Sequence, residues 1–296
     1  MEKPMELSYY PGCTLKANAK NFETSALAIL QHLDVTVKEL EDWYCCGVCF
    51  SQTQDNLMQQ IAPVRTLVKA KESNRRQLLA LCTMCFNTLK RAIEFIKNDK
   101  EKRDTIHQFM DREDTKFYGD EVEVIDILTL IRQIGLDKLK AAIVKKAVDL
   151  KVASYYGCML LRPQEIAIDS PDDPVIMEEI ITHAGCENVY FPFRTECCGS
   201  YQIVSEPEIV RERARKIVGS AVKNGADLMV MLCPLCYYNL DEVQRDIQEE
   251  DATFQPLPVL YFTQLLALLM GLKPDLQDFR LHAIDPRPVL KRKGLL

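Results

Sequence analysis

Two short stretches of this 296-residue chain, YCCGVC at 44–49 and ECCGS at 196–200, set adjacent cysteines in front of a glycine. Each pair belongs to a larger pattern. In the first half Cys13 is followed after 31 residues by Cys45 and Cys46, after 35 more by Cys82, and after a further two by Cys85. The second half repeats the order with Cys158, 38 residues, Cys197 and Cys198, 34 residues, Cys233, two residues and Cys236. Ten of the twelve cysteines fall into two matching sets of five. Thiolates in such sets are ligands of metals and metal–sulfur clusters.

A structural zinc or a cubane four-iron cluster takes four ligands, one fewer than each set supplies. The ferredoxin run C-x2-C-x2-C-x3-C is missing. Adjacent cysteines do not easily chelate one tetrahedral ion, but they can reach neighbouring irons of an extended cluster, and Gly47 and Gly199 let the backbone approach closely. Structural zinc and a thioredoxin-like dithiol at CTMC (82–85) and CPLC (233–236) stand as alternatives. The dithiol leaves Cys13, Cys158 and the adjacent pairs without a task.

The elements that must position these thiols also recur. MELSYYPGC, ending at Cys13, matches KVASYYGC, ending at Cys158, each an apolar and aromatic run closed by glycine and cysteine. A helical segment follows in both halves (NFETSALAILQHL; DPVIMEEIITHAG), then a strand-like run into the cysteine pair (VTVKELEDWY; NVYFPFRTE). Next come a charged amphipathic helix, a buried strand (QLLALC; DLMVMLC) and a Cys-x-x-Cys that opens another helix. Each half closes on an apolar run entering a helix (VEVIDILTLI; LPVLYFTQLLALL). Alternating strands and helices predict two tandem, duplicated α/β domains with largely parallel sheets, related by a pseudo-twofold axis. LDKLKAAIVKKAVDLK, 136–151, reads as a linking helix, which places the domains at 1–150 and 151–296, with a C-terminal tail from Leu272 that wraps a neighbouring surface or frays. Every motif cysteine then falls at the carboxyl end of a strand, where open α/β sheets bind ligands.

Composition excludes several other classes. The chain carries a net charge of −6 with its basic residues scattered, which argues against a nucleic-acid partner. The N-terminus lacks a signal-peptide core, and the most apolar run, LPVLYFTQLLALLMGL, is short for a membrane span, so a cytoplasmic location without membrane insertion is expected. In that reducing compartment twelve cysteines point to metal or redox chemistry and not to disulfides.

The pattern, present twice, resembles the Cys-x31–39-Cys-Cys-x35–36-Cys-x-x-Cys of the cysteine-rich CCG domain, with the 34-residue spacing of the second copy one short of that range, and a chain of this length with two copies resembles the catalytic, CCG-bearing subunit of heterodisulfide reductase from its first strand to its last long helix. The resemblance implies an iron–sulfur oxidoreductase acting on a sulfur group. It implies two noncubane [4Fe-4S] clusters, one on Cys13, Cys45, Cys46, Cys82 and Cys85 and the other on Cys158, Cys197, Cys198, Cys233 and Cys236. A mixed disulfide, in methanogens that of coenzyme M and coenzyme B, would be cleaved between them with electrons arriving singly. The implied partners within the complex are one ferredoxin-like and one flavin-bearing subunit, with a hydrogenase or formate dehydrogenase as a further member. The alternative is a CCG-type electron-transfer subunit of a flavin-dependent oxidoreductase complex, without a substrate of its own.

Other residues carry less. Cys186 reads as core, and Cys49 as core or as support beside the thiols. His32, His107, His183 and His282 neither repeat nor cluster. Tyr9, Tyr10, Tyr155 and Tyr156 read as packing beneath the thiols, with proton donation as the alternative. Lys16 and Arg162, three and four residues beyond the first cysteine of each half, read as surface charges or as groups that bind the anionic ends of the implied substrate.

Overall fold

The computed structural model describes residues 5–48, 56–110 and 115–296. In the first half β1 (Met5–Tyr10), β2 (Val35–Glu39), β3 (Gln77–Ala80) and β4 (Glu123–Ile125) form a parallel sheet in the order β2-β1-β3-β4. In the second, β5 (Lys151–Ser154), β6 (Glu187–Val189), β7 (Leu228–Met231) and β8 (Val259–Tyr261) form another in the order β6-β5-β7-β8. Relative to each half's first strand the two orders are the same, so the duplication read from the cysteines is a duplication of fold.

Helices cover both faces of the sheets, which is why QLLA and LMVM are apolar runs without alternation; β7 is buried at all four positions. The crossovers in the first half are α1 (Gly12–Ala17), α2 (Lys20–His32), α3 (Ile61–Glu72), α4 (Thr83–Asn98) and α5 (Lys100–Phe109), followed by α6 (Ile127–Ile134) and α7 (Leu136–Ala142). In the second half they are α8 (Ile176–His183), α9 (Pro207–Lys223), α10 (Pro234–Asp241), α11 (Val243–Glu250) and α12 (Phe262–Leu269), with α13 (Arg287–Arg292) near the end.

The halves meet through equivalent helices used reciprocally. α2, which follows the first strand of its half, packs on α12, which follows the last strand of the other, and α8 packs on α6 in the same relation. Ser25 and Thr263 join hydroxyls at 2.7 Å in the first contact, and Phe22 stacks on Tyr261 with ring centroids 4.5 Å apart. Tyr261 stacks in turn on Tyr237 at 4.4 Å. Reciprocal use of one pair of surfaces is the signature of a two-fold relation.

Three expectations need correction. The linking helix stops at Ala142 instead of running to Lys151, because Val144 and Lys145 spend their N–H groups on Leu269 O at 3.0 and 2.9 Å, and Val148 N–H goes to Lys293 O. β2 ends at Glu39, with Leu40 N–H making a last bond to Tyr9 O, so EDWY is not strand. β6 ends at Val189, just short of Pro192, which has no N–H for a ladder. The C-terminal tail wraps: Gln277, His282, Val289, Leu290 and Leu295 are buried. Among the described residues no helix is long and apolar enough to cross a membrane.

Candidate metal centre

The carboxyl ends of β1, β2 and β3 deliver Cys13, the Cys45–Cys46 pair and Cys82 with Cys85 to one place. β5, β6 and β7 do the same for the second set. Cys82 and Cys233 are the residues from which α4 and α10 start, so Cys85 and Cys236 lie in a first turn, where the partial positive charge of a helix N-terminus favours thiolate. The sulfurs meet in pairs. Cys45 Sγ lies 3.7 Å from Cys13 Sγ and Cys46 Sγ 3.5 Å from Cys85 Sγ, while Cys198 Sγ lies 3.3 Å from Cys236 Sγ. These separations are far beyond a disulfide bond, and every described cysteine is a free thiol.

Crowding forces the sulfurs to share protons. Contact with the sulfurs of Cys45 and Cys85 holds Cys46 well below the usual thiol range and pushes Cys45 up in return. In the second nest contact with Cys158 and Cys198 lowers Cys197, and both partners rise. Each adjacent pair thus lies in close contact with the other sulfurs of its nest. The pair is held by matched supports: Tyr10 Oη donates to Tyr44 O and Tyr155 Oη to Glu196 O, each at 2.7 Å and each to the residue just before the first paired cysteine. Gly47 and Gly199 turn the chain behind the pairs with φ of 78° and 79°, a region that disfavours any side chain.

That tyrosine match revises the alignment of the halves. SYY aligned with SYY by sequence, but Tyr10 and Tyr155 are the equivalent pair, because each precedes its nest's first cysteine by three residues and makes the same bond. Tyr156 occupies the place of Pro11. The remaining tyrosines converge on one task from different positions: Tyr9 Oη donates to Glu23 Oε1 at 3.0 Å, and Tyr156 Oη donates to Glu178. All four hydroxyls thus donate to protein acceptors, as expected of packing residues.

Each of those glutamates carries a cation. Lys16 Nζ lies 2.8 Å from Glu23 and 2.7 Å from Glu39, so the ammonium is already held by two carboxylates. Arg194, which the sequence reading missed, is buried and bonds Glu178 at 2.6 Å, Pro174 O at 2.7 Å and Asp173. Its carbonyl accepts from the N–H groups of Tyr156 and Gly157, which ties the Cys158 loop to the segment entering Cys197. The only sequence signal for it is its place in the run before the cysteine pair. Arg162 is exposed and reaches Thr195 O at 2.9 Å, two residues before Cys197. Lys16 and Arg162 thus sit on opposite nests, each side chain tied to its own half, while the Arg162 carbonyl accepts from Asn87 of the first half at 2.6 Å.

None of the four histidines lies among the sulfurs. His107 bonds Phe117 O, His183 bonds Glu179 O, and His282 lies between Val259 O and Gln264, held down to about 4 by burial. Cys186 is core as expected, its thiol pushed up to about 11 by burial. Cys49 lies outside the described residues.

Among the described residues no group of three cysteine, histidine or acidic side chains is drawn together closely enough to hold a single metal ion. The chemistry of the donor set fits an extended metal–sulfur group. Each nest offers five thiols beside a glycine at positive φ: a Cβ on Gly12 would come within 2.9 Å of Cys85 Sγ, which leaves no room for it, and one on Gly157 would reach contact with Cys236 Sγ at 3.4 Å.

Comparison with known proteins agrees with this geometry. The cysteine-rich domain model named CCG matches twice, at residues 7–90 and 152–241, one copy per sheet. The chain belongs to the CCG cysteine-rich domain family. Among CCG relatives, the 8-methylmenaquinol:fumarate reductase membrane anchor subunit of Wolinella succinogenes is 31% identical over 95% of this chain and 97% of its own length. One subunit of the ferredoxin/F420H2-dependent CoB-CoM heterodisulfide reductase of Methanosarcina acetivorans is 28% identical over 95% of this chain and 94% of its own. A hypothetical protein from Helicobacter pylori shares the fold with a TM-score of 0.76 at 12% identity, over 95% of this chain and 52% of that one. The family is one of iron–sulfur oxidoreductase subunits of the heterodisulfide reductase or CCG electron-transfer type.

Proposed function

We propose that each nest holds a noncubane [4Fe-4S] cluster, on Cys13, Cys45, Cys46, Cys82 and Cys85 in a domain spanning 1–150 and on Cys158, Cys197, Cys198, Cys233 and Cys236 in a domain spanning 151–296. The chain acts as the disulfide-reducing member of a multi-protein reductase, with electrons supplied by a ferredoxin-like and a flavin-bearing partner. The convergence of five free thiols at equivalent places in both halves carries this reading. Such a cluster, when bound, supplies electrons one at a time, and two of them match the two electrons that an S–S bond takes up. The protein's own groups fix the site: Tyr10 and Tyr155 hold the paired cysteines, while the Lys16 and Arg194 networks hold the loops of Cys13 and Cys158.

Of the two basic residues beyond those loops, Arg162 has donors without a partner among the described residues, whereas the Lys16 ammonium is paired with Glu23 and Glu39. Arg162→Met is expected to raise KM for an anionic mixed disulfide such as that of coenzymes M and B, lowering kcat/KM by roughly 10- to 150-fold with less change in kcat. An uncharged disulfide of similar size should not register the change. Equal losses with both would make Arg162 a brace for Thr195 and not a reader of substrate.

The fumarate reductase relative favours a second reading, in which the chain passes electrons within a complex and has no substrate of its own. The two readings separate in one assay. Protein reduced anaerobically with a viologen and then mixed with a disulfide is reoxidised, with release of two thiols, under the first; under the second it stays reduced.

A further inference from the structure

The Cys-x-x-Cys motif extends by three residues. CTMCFNT and CPLCYYN place Thr88 and Asn239 at the same position, six residues after Cys82 and Cys233 and three after Cys85 and Cys236. On a helix a residue three positions on lies over the same face, so both side chains point back into the nest with the second motif cysteine. Asn239 is 1% exposed, and its Nδ2 lies 3.6 Å from Cys198 Sγ and 3.3 Å from Cys198 O. Thr88 is equally buried, and its hydroxyl, set beside the Cys46 sulfur, has no other hydrogen-bond partner among the described residues. The two cysteines addressed, Cys46 and Cys198, are also equivalent, each the second of its adjacent pair.

A buried polar group without a full set of partners costs free energy in the resting fold. An unpaired hydroxyl and an amide already turned toward sulfur, at one duplicated position beside one duplicated cysteine, are accounted for if that sulfur carries negative charge as a metal ligand. We infer that Thr88 and Asn239 are positioning residues that donate hydrogen bonds to the second paired cysteine of each nest, and that their chemical difference, a hydroxyl in one half and an amide in the other, sets the two metal centres at different reduction potentials. This rests on the iron–sulfur reading of the nests. Reduction adds negative charge to a cluster and its thiolates, so a donor to a ligating sulfur favours the reduced form and raises the potential. Removing the donor lowers it.

The test is an anaerobic redox titration of the full chain followed by electron paramagnetic resonance, with iron content measured on the same samples. Asn239→Leu is expected to lower one midpoint so that the reduced-to-oxidised ratio of that centre at fixed potential falls about tenfold, equivalent to about 59 mV for a one-electron couple. Thr88→Val should lower the other midpoint and leave the first in place. Asn239→Thr, which keeps a donor, should restore most of the shift and guards against a Leu variant that fails to fold. Full iron with both midpoints unmoved in Asn239→Leu, or the same midpoint moved by both variants, would overturn the inference while leaving the clusters standing. Wild-type protein without iron would overturn the metal reading and this inference together.

Discussion

Replacing Cys198 with serine is expected to empty the second nest of iron and leave the first filled. Cys198 is 1% exposed, touches Cys236 Sγ at 3.3 Å and receives the Asn239 amide, so it is built into the centre of the nest. A serine oxygen is a poor substitute for a thiolate toward iron. Because each set of five thiols belongs to its own sheet, the loss should stay within one half: about four irons should remain out of about eight, with one of two paramagnetic signals. Changes to groups that merely support a ligand cost about 10- to 100-fold in metal affinity or activity, so loss of the ligand should lower disulfide reduction by at least about 100-fold. Disulfide reduction near the wild-type rate with one nest filled would contradict a mechanism that uses both.

Arg194→Met is expected to destabilise the fold more than any surface change. The arginine side chain is 5% exposed and its partner Glu178 20% exposed, and removing one member of a buried pair strands the other charge. Burial already raises Glu178 above the usual carboxylate range, with the bonds from Tyr156 and Arg194 opposing it, so the glutamate has little reserve once the guanidinium is gone. The expected loss is about 3–5 kcal/mol, read as a fall in the urea midpoint. Arg132→Met is the contrast. Arg132 meets Glu179 at 3.4 Å with side chains 50% and 35% exposed, and should cost no more than about 1 kcal/mol. Similar midpoints for the two variants would mean that Arg194 does not hold the Cys158 loop to the segment before Cys197.

Much of this arrangement was legible in the sequence because cysteine spacing survives divergence of the residues around it. The ten thiols, the parallel sheets and the placing of each thiol beyond a strand all follow from one repeated spacing and the alternation of strand and helix. What escaped depends on partners distant in the chain. The run from Ile143 to Leu150 has helical periodicity, but its N–H groups find carbonyls at Leu269 and Lys293, more than a hundred residues away. SYY matched SYY because identical letters outweigh a one-residue gap, whereas the structure equates Tyr10 with Tyr155 by the carbonyl each one holds. Nothing in the sequence beyond its place before the cysteine pair marks Arg194, because its partners Glu178 and Asp173 lie 16 and 21 residues back. Thr88 and Asn239 could have been found by carrying the comparison of the two Cys-x-x-Cys motifs three residues further, since a helix puts that position over the same nest.

Metal and sulfide analysis of the protein purified without oxygen tests the central claim most directly. The account predicts a brown protein with about eight irons and about eight acid-labile sulfides per chain. One or two equivalents of zinc with no iron and no labile sulfide would contradict it.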